Sequence, residues 1–237
     1  LGCGSDLLVA DEGYRGIVVD LAGGLLSVGY DGYRMMCQAG VPIGEASEMA
    51  CELGLTGLEF ACGIPGSIGG ACFMNAGAYG GCIADVLESV HVINSSGDQQ
   101  TIAVEDLKLG YRSSLIRTEE LVVLDATLEL RQGDPKDIRA KMDDLSIRRE
   151  EKQPLEVASA GSTFKRPEGH YAGKLISDAG LQGYCVGGAA VSTKHAGFVV
   201  NLGSATAADV HAVIEHVQEE VKRKFDVWLE PEVRFLP

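Results

Sequence analysis

The chain has 237 residues, 46% apolar and 23% charged, which excludes disorder and leaves room for one large domain or two small ones. Its 20 Lys and Arg against 34 Asp and Glu give a formal charge of −14, which would repel a nucleic acid backbone, although a few amides and lysines can still hold a small phosphate ligand. No apolar run approaches the length of a membrane span, and seven cysteines without a C-x-x-C pair predict buried, unpaired thiols in a reducing cytoplasm and no metal site.

Taken in chain order, the first predicted helix follows Pro42, turns Ala46, Met49, Ala50 and Leu53 inward, and stops at Gly54. Ser89 to Ile93, the turn Ser95 to Asp98, and Thr101 to Val104 read as a hairpin. Val122 to Leu130 alternates as a half-buried strand, with Val122, Leu124, Ala126, Leu128 and Leu130 on one face and Asp125, Thr127 and Glu129 on the other. The polar turn Arg131 to Asp134 is the expected boundary. A second helix begins at Asp134-Pro135 with Ile138, Met142 and Leu145 inward, and a third carries Ala172, Leu175, Ile176 and Ala179 before Gly180. A fourth starts at Thr206, where Asp209 completes a capping signal, and buries Val210, Val213, Ile214, Val217, Val221 and Phe225. The pattern predicts an α+β chain of two lobes, residues 1–132 and 133–237.

Glycine is in excess, 31 of 237 or about 13% against a usual value of about 7%. The glycines concentrate in Gly63-Ile64-Pro65-Gly66-Ser67-Ile68-Gly69-Gly70 and in Asn75-Ala76-Gly77-Ala78-Tyr79-Gly80. Such spacing lets a pyrophosphate approach backbone N–H groups, or serves only to turn corners. Neither the G-x-G-x-x-G nor the P-loop pattern is present, so a different dinucleotide fold is required.

Those two segments, with Leu1-Gly2-Cys3-Gly4-Ser5-Asp6-Leu7, Gly110-Tyr111-Arg112, Ala160-Gly161-Ser162-Thr163-Phe164-Lys165 and Leu229-Glu230-Pro231-Glu232-Val233-Arg234, occur in the order found in one family. The chain resembles, over essentially its whole length, the UDP-N-acetylenolpyruvoylglucosamine reductase (MurB) family of peptidoglycan synthesis. The resemblance implies a vanillyl-alcohol-oxidase-type FAD domain in residues 1–132, lacking its opening segment of several dozen residues, and a substrate-binding domain in 133–237. It implies FAD and NADPH as cofactors, a UDP-sugar as substrate, and no nucleic acid, membrane or obligate protein partner. The short connection from Arg112 to Val122 resembles the subfamily without a substrate-covering tyrosine loop.

By the same resemblance Gly2, Cys3, Gly4, Ser5, Asp6 and Leu7 cradle the FAD pyrophosphate together with Gly63, Ile64, Pro65, Gly66, Ser67, Gly69 and Gly70. Asn75, Ala76 and Gly77 lie near the flavin. Ser162 is the proton donor to the substrate carbon, Glu232 the carboxyl acid, and Arg112 the planar cation for the carboxylate or developing enolate. Tyr111, Lys152, Arg166 and Arg234 are substrate contacts. Asp6 stands where relatives carry Asn and puts a carboxylate beside the expected pyrophosphate, and Ser113 replaces an aspartate that could steady Arg112. His195 reads as a structural histidine, and His211 with Glu215 as an exposed pair. Two rival readings are a non-catalytic UDP-sugar-binding remnant and another flavin oxidoreductase of the same FAD fold.

Overall fold

The computed structural model describes all residues from Leu1 to Pro237. The alternation between Val122 and Glu129 makes this segment the middle strand of a five-stranded antiparallel sheet, ordered Val28–Asp31, Arg34–Gln38, Val122–Glu129, Leu87–Ile93, Gln99–Ala103. The last two strands are the expected hairpin, closed by a turn in which Gly97 takes φ +89°. The sheet's buried residues, among them Met35, Cys37, Val90, Val92, Ala126 and Leu128, join Ile43, Ala46, Ala50, Ile68, Ala71 and Cys72 in one core.

That core packs helix α1, Ile43–Glu52, and helix α2, Ile68–Met74, whose first turn is capped by Ser67. A short helix α3, Leu115–Thr118, follows, and then α4, Pro135–Lys152. The buried stripe of α1 is Ile43, Ala46, Ser47, Ala50 and Cys51, displaced from the expected one. Met49 and Leu53 are 36% and 38% exposed, because Ser47 turns inward and donates to the Leu58 carbonyl at 2.9 Å. A second correction concerns the central strand. The pairing with Leu87–Ile93 shifts between His91 and Val92, skipping Leu124, so the alternation reverses phase and Val123 is buried while Val122 faces out.

The remaining helices are α5, Ala172–Asp178, and α6, Ala207–Phe225. The predicted capping box of α6 is complete: Thr206 Oγ1 accepts from Asp209 N, and an Asp209 carboxylate oxygen accepts from Thr206 N. Val213, Ile214, Val217 and Val221 are buried against Leu175, Ile176, Val191, Val199 and Leu229, each such side chain contributing about 1.5–3 kcal/mol. Phe225, expected inward, is the last residue of α6 and is 37% exposed. The associated sheet is antiparallel, ordered Ala158–Ser162, Phe198–Asn201, Ala189–Val191, Cys185–Val186. Leu7–Val9 pairs in parallel with Arg234–Leu236, and the Asp11 carboxylate accepts from the first amides of α6, Ala207 N at 2.6 Å and Ala208 N at 3.2 Å.

Two compact units result, Leu1–Gly4 with Val18–Arg149, and Ser5–Ile17 with Glu150–Pro237. This division differs from the one expected at 132/133. Most of α4 belongs to the first unit because Ile138, Met142 and Leu145 pack on Cys51 and Cys62, while residues 5–17 join the second through the parallel strand pair and the Asp11 cap. The cysteines are all unpaired, as expected, yet only Cys37, Cys51, Cys62 and Cys72 are buried; Cys3 and Cys185 lie exposed on loop and edge positions. Burial pushes the Cys37 and Cys72 thiols up to about 12, so neither ionises at neutral pH.

Candidate functional site

In the first unit the Gly2 loop meets the segment from Gly63 to Gly70 at the start of α2, and the segment from Asn75 to Gly80 leaves the helix's other end. A Cβ on Gly2 would lie 2.3 Å from Ser67 Oγ, so only glycine lets the first loop reach the helix cap. A Cβ on Gly69 would lie 2.9 Å from that of Ala39, which fixes α2 against the sheet. Most of the loop's amides are committed: Ile64 N to Ala61 O, Gly66 N to Ile64 O, Ile68 N to Val41 O, Gly69 N to Ala39 O and Gly70 N to Ser67 Oγ. The N–H groups of Gly2, Cys3, Gly4, Gly63 and Ser67 have no acceptor within the protein, and they are donors available to an anion here. Pro65 supplies no N–H and shapes the turn before the cap.

One residue at this site escaped the sequence reading. Arg149 continues the buried stripe of α4 from Ile138, Met142 and Leu145 and is 8% exposed. Its Nε and Nη2 have no hydrogen-bond acceptor, its aliphatic stem lies 3.1 Å from where a Cβ of Gly63 would stand, and its guanidinium sits 5.5 Å from the Tyr79 ring. A cation kept dry beside a glycine loop requires a partner that the protein does not supply. The signal was available, since an arginine four residues after Leu145 falls in the register of the core face.

Arg112 occupies the third position of the turn Gly110 to Ser113, with φ +52°. Its Nη2 donates to Gly77 O at 3.3 Å, its carbonyl accepts from Arg117 Nη1 at 3.3 Å, and its guanidinium lies 5.1 Å from the exposed Tyr111 ring. Asn75, expected near the cofactor, has its amide engaged inside the protein, by Gly110 O and Ala84 N. Ala76 N bonds Ala71 O, and Gly77 starts a two-residue strand pair with Cys82.

In the second unit Ser162 ends a strand whose bulge puts Gly161 at φ +79° and leaves Ser162 exposed. Thr163 is the clamp: its N donates to Gly197 O at 2.8 Å, its Oγ1 accepts from Val199 N, and its carbonyl accepts from Glu232 N at 2.8 Å. Ser162 and Glu232 are thereby held on adjoining segments, reinforced by the bridge of Phe164 with Pro231, by Lys165 N on Glu230 O and by the ion pair of Lys165 with Glu230. Arg234 N donates to Asp6 O at 3.0 Å, and Arg234 pairs with Leu7, so both of these predicted cofactor-loop residues stand beside a predicted substrate residue. Ser5 lies with them in the second unit, so the predicted loop from Gly2 to Leu7 is shared by the two units.

Lys152 ends α4 exposed, and Arg166 stacks 3.9 Å from the Tyr171 ring centre. His195 is structural in its contacts: Nδ1 accepts from Gly197 N, the ring meets Phe198 edge-on, and burial lowers its pKa. His211 and Glu215 form the expected exposed pair at 3.4 Å.

Residues 1–103 match the FAD binding domain family, and residues 153–236 match the C-terminal domain of UDP-N-acetylenolpyruvoylglucosamine reductase. These unpaired amides, the Gly2 cradle and the unmet guanidinium nitrogens of Arg149 fit the phosphates and acceptor edges of FAD. Proteins named UDP-N-acetylenolpyruvoylglucosamine reductase from Exiguobacterium sibiricum and Geobacillus kaustophilus are 52% and 54% identical over 236 residues, covering the whole of this chain and 77% of each relative. The crystal structure of UDP-N-acetylenolpyruvylglucosamine reductase (MurB) from Thermus caldophilus is 38% identical and superposes with a TM-score of 0.87, covering 100% of this chain and 84% of that one. No helix is long and apolar enough to cross a membrane. With both units matched and more than half of the residues shared with such relatives, the chain belongs to the UDP-N-acetylenolpyruvoylglucosamine reductase family.

Proposed function

We propose that the protein reduces the enolpyruvyl double bond of UDP-N-acetylglucosamine enolpyruvate, giving UDP-N-acetylmuramate, with NADPH as reductant and in the cytoplasm, where its unpaired thiols stay reduced. The observation that carries the reading is the Thr163 clamp, which holds Ser162 beside Glu232 in a chain related over its full length to such reductases. FAD, when bound, supplies the two-electron carrier between NADPH and substrate. Gly2, Cys3, Gly4, Gly63 and Ser67 would hold it through backbone N–H groups and close approach, and Arg149 through its two unmet nitrogens.

The chain's own residues then manage charge and protons. Hydride addition to the terminal vinyl carbon leaves an electron pair on the carbon next to the carboxylate, delocalised as an enolate. Arg112 presents two N–H groups to that carboxylate and stabilises the charge as it grows. Glu232, in its acid form, donates a hydrogen bond to the developing enolate. Ser162 delivers its hydroxyl proton to the carbon bearing the electron pair, and solvent restores it; the net reaction consumes one hydride and one proton. Lys152, Arg166, Arg234 and Tyr111 bind the nucleotide diphosphate and sugar by charge, stacking and hydrogen bonding.

The test is a visible spectrum of the FAD-loaded protein under anaerobic conditions. Flavin absorbance should bleach with NADPH and recover on adding the enolpyruvyl substrate. Ser162→Ala should keep the bleaching and slow the recovery by at least about a hundredfold. A spectrum that recovers at the wild-type rate in that variant removes Ser162 from the reaction, and absence of recovery in the wild-type protein removes the reading.

A further inference from the structure

Arginine is a poor choice for the position that Arg112 occupies. The third residue of a hydrogen-bonded turn with positive φ is ordinarily Gly or Asn, because a Cβ there crowds the backbone. The turn closes on itself through Gly110 N to Ser113 O at 3.0 Å and Ser113 N to Gly110 O at 3.3 Å, and something must hold it in this conformation.

The holding groups come from the C-terminal end of α2. Asn75 is the helix's C-cap, itself left-handed at φ 44° and 8% exposed. Its Nδ2 donates to Gly110 O at 3.0 Å, and its Oδ1 accepts from Ala84 N at 3.0 Å. Gly110 O therefore accepts twice, from Ser113 N inside the turn and from Asn75 outside it. Alongside, Ser114 Oγ donates to Phe73 O at 2.7 Å, tying the residue after the turn to the same helix end.

We propose that Asn75 is a positioning residue for Arg112: its side-chain amide locks the Gly110 to Ser113 turn so that the guanidinium is presented in one orientation to the substrate carboxylate. The inference rests on the role given to Arg112 above. It assigns the Asn75 amide to the half-reaction in which substrate is reduced, not to retention of the flavin.

Asn75→Asp keeps the acceptor for Ala84 N and deletes the donor to Gly110 O; Asn75→Gly keeps the left-handed backbone and deletes both bonds. Stopped-flow spectroscopy of the FAD-loaded, full-length protein reads both half-reactions separately. Both variants should retain flavin and be reduced by NADPH at the wild-type rate. Both should reoxidise with saturating enolpyruvyl substrate about two- to tenfold more slowly, the range for one lost buried hydrogen bond. In an Arg112→Ala background, itself strongly slowed in reoxidation, Asn75→Asp should add no further loss. Wild-type reoxidation in both Asn75 variants, an equal slowing of both half-reactions, or an additive loss in the double variant overturns the proposal. If Arg112→Ala alone reoxidises normally, the reading of Arg112 has failed and the positioning role falls with it.

Discussion

Replacing Arg149 by methionine separates stability from cofactor binding, because the same side chain should act in opposite directions on the two. In the protein without FAD, the guanidinium is 8% exposed and two of its nitrogens lack acceptors. Each unsatisfied buried donor costs about 1–3 kcal/mol, and the contact with the Tyr79 ring returns only about 0.5–1 kcal/mol. Methionine fills a similar volume beside Cys62, Met142 and Leu145 with no donor to satisfy. The flavin-free variant should be more stable by at least about 1 kcal/mol, which raises its Tm by about 2–4 °C for each kcal/mol in a chain of this size. With FAD, the lost charge-assisted hydrogen bonds, about 1.5–3 kcal/mol, should weaken binding roughly ten- to a hundredfold. Differential scanning calorimetry of the flavin-free protein and a fluorescence titration with FAD measure the two effects. A variant that is less stable without flavin and binds FAD with wild-type affinity would refute the assignment of Arg149 to the cofactor.

Two further outcomes follow from the scaffold. Burial pushes the Glu59 carboxyl up, but hydrogen bonds from Thr56 Oγ1 and Gly57 N, and Lys141 Nζ at 3.6 Å, outweigh it and hold the group below its ordinary 4.5. A depressed carboxyl stabilises the fold above pH 4.5 and loses that contribution as pH falls through its folded value, so acid titrations monitored by circular dichroism should show a shallower decline for Glu59→Gln than for the wild type. Equal slopes would contradict this. Thr206→Ala removes the acceptor for Asp209 N at the start of α6 and should cost about 1 kcal/mol in urea unfolding; an unchanged midpoint would mean that Asp11, on Ala207 N and Ala208 N, caps the helix unaided.

What the residue pattern made legible was set by local rules. The Thr206 and Asp209 capping box, the Gly180 stop at φ +76° and the hairpin around Gly97 need only neighbours in sequence. Partner-dependent features were not legible in this way. Val122 faces out because the neighbouring strand shifts register at His91 and Val92, which no single-strand alternation reveals. The glycine segments point to a loop, but which of its N–H groups remain available depends on the carbonyls of Ala39 and Val41, on the far side of α1 in sequence, which accept from Gly69 and Ile68. Ser162, Glu232 and Arg112 were reached through family resemblance. The clamp that joins the first two, Thr163, carries no chemical signal of its own, since its contribution is a carbonyl and a hydroxyl turned inward. Arg149 was overlooked for the opposite reason: a charged residue in a core register reads as the end of an apolar stripe unless burial is known.

The parallel pairing of Leu7–Val9 with Arg234–Leu236, and the Asp11 cap on α6 from 196 residues away, have a consequence for synthesis. Most of the first unit is encoded as one continuous stretch, Val18 to Arg149, and can collapse as soon as that stretch leaves the ribosome. The second unit has contributed residues 5–17 before that event but must wait for Arg234 to Leu236, made after α6, before its parallel pair can close. Until then the strand Leu7–Val9 stays without its partner, and long-range closure of this kind is slow. Aggregation during expression should therefore depend on how quickly synthesis proceeds from α6 to Leu236, and a chain halted before Arg234 should present a finished first unit attached to an open second one.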